Sequence, residues 1–156
     1  MAEERCEPEV LHPEVAPRPR RILIAEDDYE MRRLLVAALR RDGYEVTETD
    51  NGLRLLSQLY SPLHYGIRAD VDLIISDIRM PGVDGLEVLS GLQSYDGAPP
   101  VILITAFGDR QVHAEANRLG AVALFDKPFD LDDLRTFVRR LVPPRNGAPD
   151  PLTGAA

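Results

Sequence analysis

Four apolar runs, far apart in the chain, each stop at residues that carry chemistry. The run 21–25 ends at Glu26-Asp27-Asp28, 72–75 at Ser76-Asp77, 101–104 at Thr105-Ala106, and 123–126 at Lys127-Pro128. Each has the length and the Val/Ile/Leu content of a strand buried on both faces of a parallel sheet. In open α/β sheets the ligand crevice lies beyond the carboxyl ends of the strands. Acids, a hydroxyl and an ammonium are therefore expected to converge at one sheet edge.

The rest of the pattern alternates strand and helix. Strands are expected near 21–25, 45–49, 72–76, 100–104 and 121–125, and helices near 28–42, 51–60, 84–94, 108–119 and 130–141, which makes parallel βαβ units wound on both faces of a sheet. Asp28 can cap the first helix, whose Met31, Leu34, Leu35, Ala38 and Leu39 form an apolar stripe that Gly43 ends. Asp130 can cap the last, where Leu131, Leu134, Phe137, Val138 and Leu141 recur at helical spacing before Pro143. The segment Asp109 to Leu119 offers only Val112, Ala116 and Leu119, so the fourth helix should be the least firmly packed. The connection 61–70 looks long, and its Leu63, Tyr65 and Ile67 are expected to fold back onto their own domain.

Both ends are rich in proline: Pro8, Pro13, Pro17 and Pro19 precede the first strand, and Pro143, Pro144, Pro149 and Pro151 follow the last helix. Neither end can bury enough to fold, which divides the chain into a flexible 1–19, a domain at 20–142 and a flexible tail at 143–156. The 156 residues suit one such domain. A net charge of −8 disfavours an extended contact with a phosphate backbone. The lone Cys6 permits no internal disulfide, and no stretch approaches the ~20 apolar residues of a membrane span, so a cytoplasmic location is expected. His12, His64 and His113 stand apart from one another and are given no catalytic role.

Glu26, Asp27 and Asp77 at the ends of neighbouring strands would repel one another and resist ionising unless a cation joined them. Mg²⁺ suits such a set, because it prefers carboxylate oxygens, retains waters and commonly completes its shell with a phosphate oxygen. Lys127 adds a fixed positive charge and Thr105 a hydroxyl, both useful toward an incoming anion. A phosphoryl group satisfies all of these partners. Asp77 is the nucleophile candidate, since the irregular loop 78–82 behind it would expose its carboxylate and carboxylates can form aspartyl phosphates.

The motifs Glu26-Asp27-Asp28, Asp77-Ile78-Arg79-Met80-Pro81-Gly82-Val83-Asp84-Gly85, Thr105-Ala106 and Asp126-Lys127-Pro128-Phe129 together closely resemble the receiver domain of two-component response regulators, over about residues 20–142. The resemblance implies a flavodoxin-like fold, a doubly wound five-stranded parallel sheet in the order 2-1-3-4-5 with five helices. It implies Asp77 as phosphoacceptor, Thr105 and Lys127 as contacts to the phosphoryl group, and Glu26, Asp27, Asp77 and the backbone carbonyl of Arg79 as Mg²⁺ ligands. A cis Lys127–Pro128 bond is also implied. The partners implied are a histidine kinase or phosphotransfer protein and a downstream protein on the face of the fourth helix, fifth strand and fifth helix, with neither nucleic acid nor membrane.

One departure concerns readout. The family usually has Tyr or Phe three residues before the motif lysine, and here Leu124 occupies that position while Phe125 would face the other side of the strand. The expected function is a stand-alone response regulator phosphorylated on Asp77. The alternatives are a receiver-like adaptor that works without phosphorylation, and a Mg²⁺ phosphatase, for which Arg79 stands where a second acid would be wanted.

Overall fold

A computed structural model of the chain describes residues 18–61, 66–67 and 70–145. Strands β1 (Arg21–Ala25), β2 (Glu45–Thr49), β3 (Leu73–Asp77), β4 (Val101–Thr105) and β5 (Ala123–Asp126) form one sheet. Their order is β2-β1-β3-β4-β5, with every neighbouring pair parallel. Helices α1 (Tyr29–Arg41), α2 (Gly52–Leu59), α3 (Gly85–Leu92) and α4 (Arg110–Arg118) link successive strands, and α5 (Leu131–Leu141) follows β5. The 2-1-3-4-5 sheet with five helices is the fold expected from the sequence, with element limits displaced by one or two residues.

Strand residues alternate between two cores. Leu23, Ile74 and Leu103 pack with Leu55, Leu59, Val88 and Ala116 beneath α2, α3 and α4. Ile22, Ile24, Ile75 and Ile102 pack with Leu35, Leu39, Leu134 and Val138 beneath α1 and α5. Covering both faces accounts for the apolar runs Leu73–Ile75 in β3 and Val101–Ile104 in β4, strands in which every residue is buried.

Each helix starts from an Asx cap whose side chain accepts a backbone N–H of the first turn: Asp28 from Met31, Asn51 from Arg54, Asp84 from Glu87, Asp109 from Val112 and Asp130 from Asp132. Because all five helices each follow a parallel strand, these N-termini gather at the carboxyl edge of the sheet. The far end is fastened separately. There Asp42, just past α1, accepts two hydrogen bonds from Arg135 of α5 at 2.8 and 2.6 Å, with Arg139 3.5 Å away. Beside it the buried Tyr44 hydroxyl donates to the Val142 carbonyl at 2.7 Å, and burial pushes its pKa up to about 12.

Two local expectations are corrected. Of the expected stripe in α1, Leu35 and Leu39 are buried, but Leu34 is exposed and Val36 is buried in its place; the apolar face is turned by about one residue from the stripe drawn through Leu34. The second helix stops at Leu59, because Tyr60 is extended (φ −82, ψ 129) and starts a two-stranded antiparallel ribbon pairing Tyr60 with Ile67 and Ser61 with Gly66. The Tyr60 ring meets the edge of Tyr95, with centroids 5.8 Å apart, which ties the ribbon to the end of α3. The expectations for Leu63, Tyr65 and the Ile67 side chain, for Cys6, His12 and His64, and for most of both proline-rich ends lie outside the described residues. As expected, α4 is sparsely anchored, with Ala116 its one buried residue. Among the described residues no helix is long and apolar enough to cross a membrane.

Candidate functional site

The carboxyl edge of the sheet collects the residues singled out in the sequence. Glu26 follows β1, where its N–H donates to the Thr49 carbonyl at 3.1 Å. Asp77 is the last residue of β3 and Thr105 the last of β4, while Lys127 comes directly after β5. Carboxylate oxygens of Glu26, Asp27 and Asp77 all lie within 4.8 Å of one another.

Lys127 sits over this cluster. Its Nζ donates to Asp77 Oδ2 at 2.7 Å and to Glu26 Oε1 at 3.1 Å. Asp77 Oδ1 accepts the Arg79 N–H at 3.0 Å, and Glu26 Oε1 also accepts the Asp28 N–H at 3.1 Å. Contrary to the expectation of an exposed nucleophile, the Asp77 side chain is only 7% accessible, against 17% for Lys127 and 1% for Glu26. The ammonium bridges the two buried acids, Asp77 and Glu26, whereas Asp27 stays exposed. The Lys127–Pro128 peptide is cis.

Burial, reinforced by the charge of Asp77, pushes the Glu26 carboxyl up to about 7, against the opposing pull of Lys127. For Lys127 burial works against the charged form, but its hydrogen bonds to Asp77 and Glu26 outweigh it and raise its pKa. Three carboxylates against one ammonium leave two negative charges in excess when all are ionised. Glu26 Oε2 is buried and accepts no aligned hydrogen bond, although it lies 3.0 Å from Lys127 Nζ. Oxygen donors, excess negative charge and an oxygen without a donor all fit a small, hard divalent cation such as Mg²⁺.

The loops behind the strands complete the edge. Thr105 is buried, and its Oγ1 accepts the Phe107 N–H at 3.1 Å. The Arg79 guanidinium stacks over the exposed Phe107 ring, 4.4 Å from its centroid. Gly85 lies so close to β3 that a Cβ there would fall 2.5 Å from the Asp77 carbonyl oxygen, so only glycine lets α3 begin at that point. On β5, Leu124 packs toward the core beneath α4, and Phe125 packs on the opposite face against Phe129 and Phe137.

Two residues escaped the sequence reading. Arg32 of α1 donates to the Glu26 carbonyl at 2.7 Å and so steadies the acidic turn; nothing marks it among the helix's other arginines. His113, read as isolated, has Nε2 2.9 and 3.1 Å from the two Asp126 carboxylate oxygens.

A family model described as the response regulator receiver domain matches residues 22–139. The chain is 34% identical over 123 residues to sporulation initiation phosphotransferase F of Bacillus subtilis, covering 79% of this chain and 94% of that protein. It is 38% identical over 120 residues to the regulatory protein AtoC of Escherichia coli, covering 77% of this chain but 24% of AtoC. Among solved structures, the response regulator protein TrrA of Thermotoga maritima, determined in complex with Mg²⁺-BeF, is 31% identical, with a TM-score of 0.66 over 79% of this chain and 99% of that one. A putative response regulator from Chloroflexus aurantiacus is 28% identical, with a TM-score of 0.68 over 80% of this chain and 98% of that one. The sheet order, the strand-end motifs and these matches agree: the chain belongs to the response regulator receiver domain family of two-component systems.

Proposed function

We propose that this receiver accepts a phosphoryl group on Asp77 from a histidine kinase or phosphotransfer protein, in a Mg²⁺-dependent step, and passes its state on through protein contacts. The observation that carries the reading is the Lys127 ammonium bridging Asp77 and Glu26 at 2.7 and 3.1 Å beside a three-acid cluster. An Asp77 oxygen forms the new P–O bond as the donor's P–N bond breaks. Lys127 then turns from the carboxylates to the phosphoryl oxygens, and the Thr105 hydroxyl donates to them. Glu26, Asp27 and Asp77 would hold Mg²⁺ together with the backbone carbonyl of Arg79, and the metal would supply positive charge to the transferring group. A cytoplasmic setting and an output surface formed by α4, β5 and α5 go with this reading. Incubation with a small phosphodonor, followed by intact mass, tests it. Mg²⁺-dependent gain of one phosphoryl group in the wild type and none in Asp77→Asn is the expected result, and equal labelling of both proteins would overturn it.

The adaptor reading is favoured by one observation, the aliphatic Leu124 at the position where the family usually has an aromatic. It requires partner binding to be the same in Asp77→Asn as in wild type, with or without phosphodonor.

The aspartyl phosphate is expected to be long-lived. Hydrolysis needs a water in line with the bond to Asp77, and the stacked Arg79 and Phe107 side chains screen that approach. Phe107→Ala should speed loss of phosphate severalfold in a decay time course, and an unchanged decay rate would dismiss the screening.

The receiver unit is assigned to residues 20–142. The fragment 20–142 is expected to melt and to take up phosphate as the whole chain does, and a fragment that cannot be labelled would give the end segments a part in the fold or the site.

A further inference from the structure

Leu124 stands where the family usually has an aromatic, and the structure shows a second link between Asp77 and α4. The His113 imidazole on α4 lies 2.9 and 3.1 Å from the Asp126 oxygens at the end of β5. The pair is 44% and 50% accessible. It joins to the sheet a helix that has one buried residue of its own.

Asp126 is connected to the acceptor from two directions. It is the register partner of Thr105, and the next residue, Lys127, donates its N–H to the Thr105 carbonyl at 2.7 Å and its Nζ to Asp77 at 2.7 Å. The loop from Thr105 to α4 also rests on it. A Cβ on Gly108 would overlap the Asp126 carboxylate and come within 3.0 Å of His113 Nε2. The carboxylate therefore occupies the space that the missing side chain leaves. That loop is tied in turn to the Thr105 hydroxyl, because Thr105 Oγ1 accepts the Phe107 N–H.

Resting on the phosphoacceptor reading of Asp77, we propose that His113 and Asp126, seated on Gly108, form a latch that holds α4 in the unmodified protein and opens when a phosphoryl group draws Thr105 inward. A hydroxyl moving toward Asp77 carries Phe107 with it and shifts Gly108 across the Asp126 carboxylate. The carboxylate then leaves His113, and α4 loses its side-chain link to β5. The bistable element is the loop 105–109, and the bias is the affinity of the Thr105 hydroxyl for an anion on Asp77.

Hydrogen exchange of the backbone amides 110–118 tests the latch, in the full chain, unmodified and with beryllofluoride and Mg²⁺. Occupancy of the acceptor is read separately from the bound-fluoride NMR signal. In the unmodified protein His113→Ala should speed exchange about two- to fivefold, the range of a half-exposed polar side-chain pair. With beryllofluoride bound, wild type and His113→Ala should exchange alike. Gly108→Ala should act like His113→Ala, because it displaces the carboxylate, and should add nothing to Asp126→Ala, where the obstructing oxygens are gone. No change in the unmodified protein, an equal change in both states, or a Gly108→Ala effect that persists on top of Asp126→Ala would overturn the latch. A missing bound-fluoride signal in the wild type would instead overturn the phosphoacceptor reading, and the opening step with it.

Discussion

Asp42→Ala is expected to cost about 3 kcal/mol of folding stability, the lower end of the range for removing one partner of a buried ion pair. The Asp42 carboxylate is almost fully buried and accepts both hydrogen bonds from Arg135 at 2.8 and 2.6 Å. Truncation leaves the Arg135 and Arg139 guanidiniums facing a polar void between α1 and α5. Arg135 keeps one bond to the exposed Asp132 at 2.9 Å, which holds the loss at the lower end. Urea unfolding followed by circular dichroism should show a lower midpoint at constant slope. A loss under about 1 kcal/mol would mean that the α1–α5 junction is held by its apolar contacts alone. Phosphodonor labelling of the folded mutant should be unaffected, because Asp42 follows the C-terminus of α1, at the sheet edge opposite the acidic cluster.

The metal-free protein should lose stability as pH rises through the window from about 4.5 to 7. Glu26 titrates near 4.5 when unfolded and is pushed up to about 7 in the fold by burial and by Asp77. Between those values the unfolded chain has released a proton that the native state still binds, so stability falls with rising pH. Below the window the full contribution is present, and above it the loss is complete, on the order of 3 kcal/mol for this shift. Mg²⁺ needs the ionised carboxylate, so its binding should release a proton near neutrality and raise the melting temperature more at pH 8 than at pH 5. Thermal melts across this range, with and without Mg²⁺, check both effects. Glu26→Gln should flatten the metal-free profile over the window. A wild-type profile as flat as the mutant's would show that Glu26 does not carry the linkage.

The architecture could be read from the sequence because the central strands of a doubly wound sheet, here β1, β3 and β4, are buried on both faces. Ile, Leu and Val run on in them until a polar residue marks the strand end, whereas the edge strands β2 and β5 are only partly buried. Parallel pairing puts those ends side by side, so Glu26, Asp77, Thr105 and Lys127 converge although more than a hundred residues separate the first from the last. Rotational details were harder to foresee. Leu34 and Val36 are both apolar, and a turn of one helical position decides which is buried; α1 buries Val36. The ribbon at Tyr60–Ser61 and Gly66–Ile67 rests on two paired positions per strand, too few for an alternating pattern to register. The near-burial of Asp77 goes with its place at the end of a fully buried strand and with a Lys127 contact across 50 residues, neither of which the exposed-loop reading took into account. The pairing of His113 with Asp126 depends on how α4 is rotated against β5, and no spacing along the chain encodes that rotation.

Borohydride trapping of the phosphorylated protein followed by peptide mass mapping identifies the residue that carries the phosphoryl group. Hydride reduces an acyl phosphate to the primary alcohol, so the mapped site is the acceptor itself. One reduced aspartate is expected, at Asp77, formed only when phosphodonor and Mg²⁺ are both present. Reduction at Glu26, Asp27 or any other carboxylate, or no reduction in a chain that has gained phosphate, would contradict Asp77 as the acceptor.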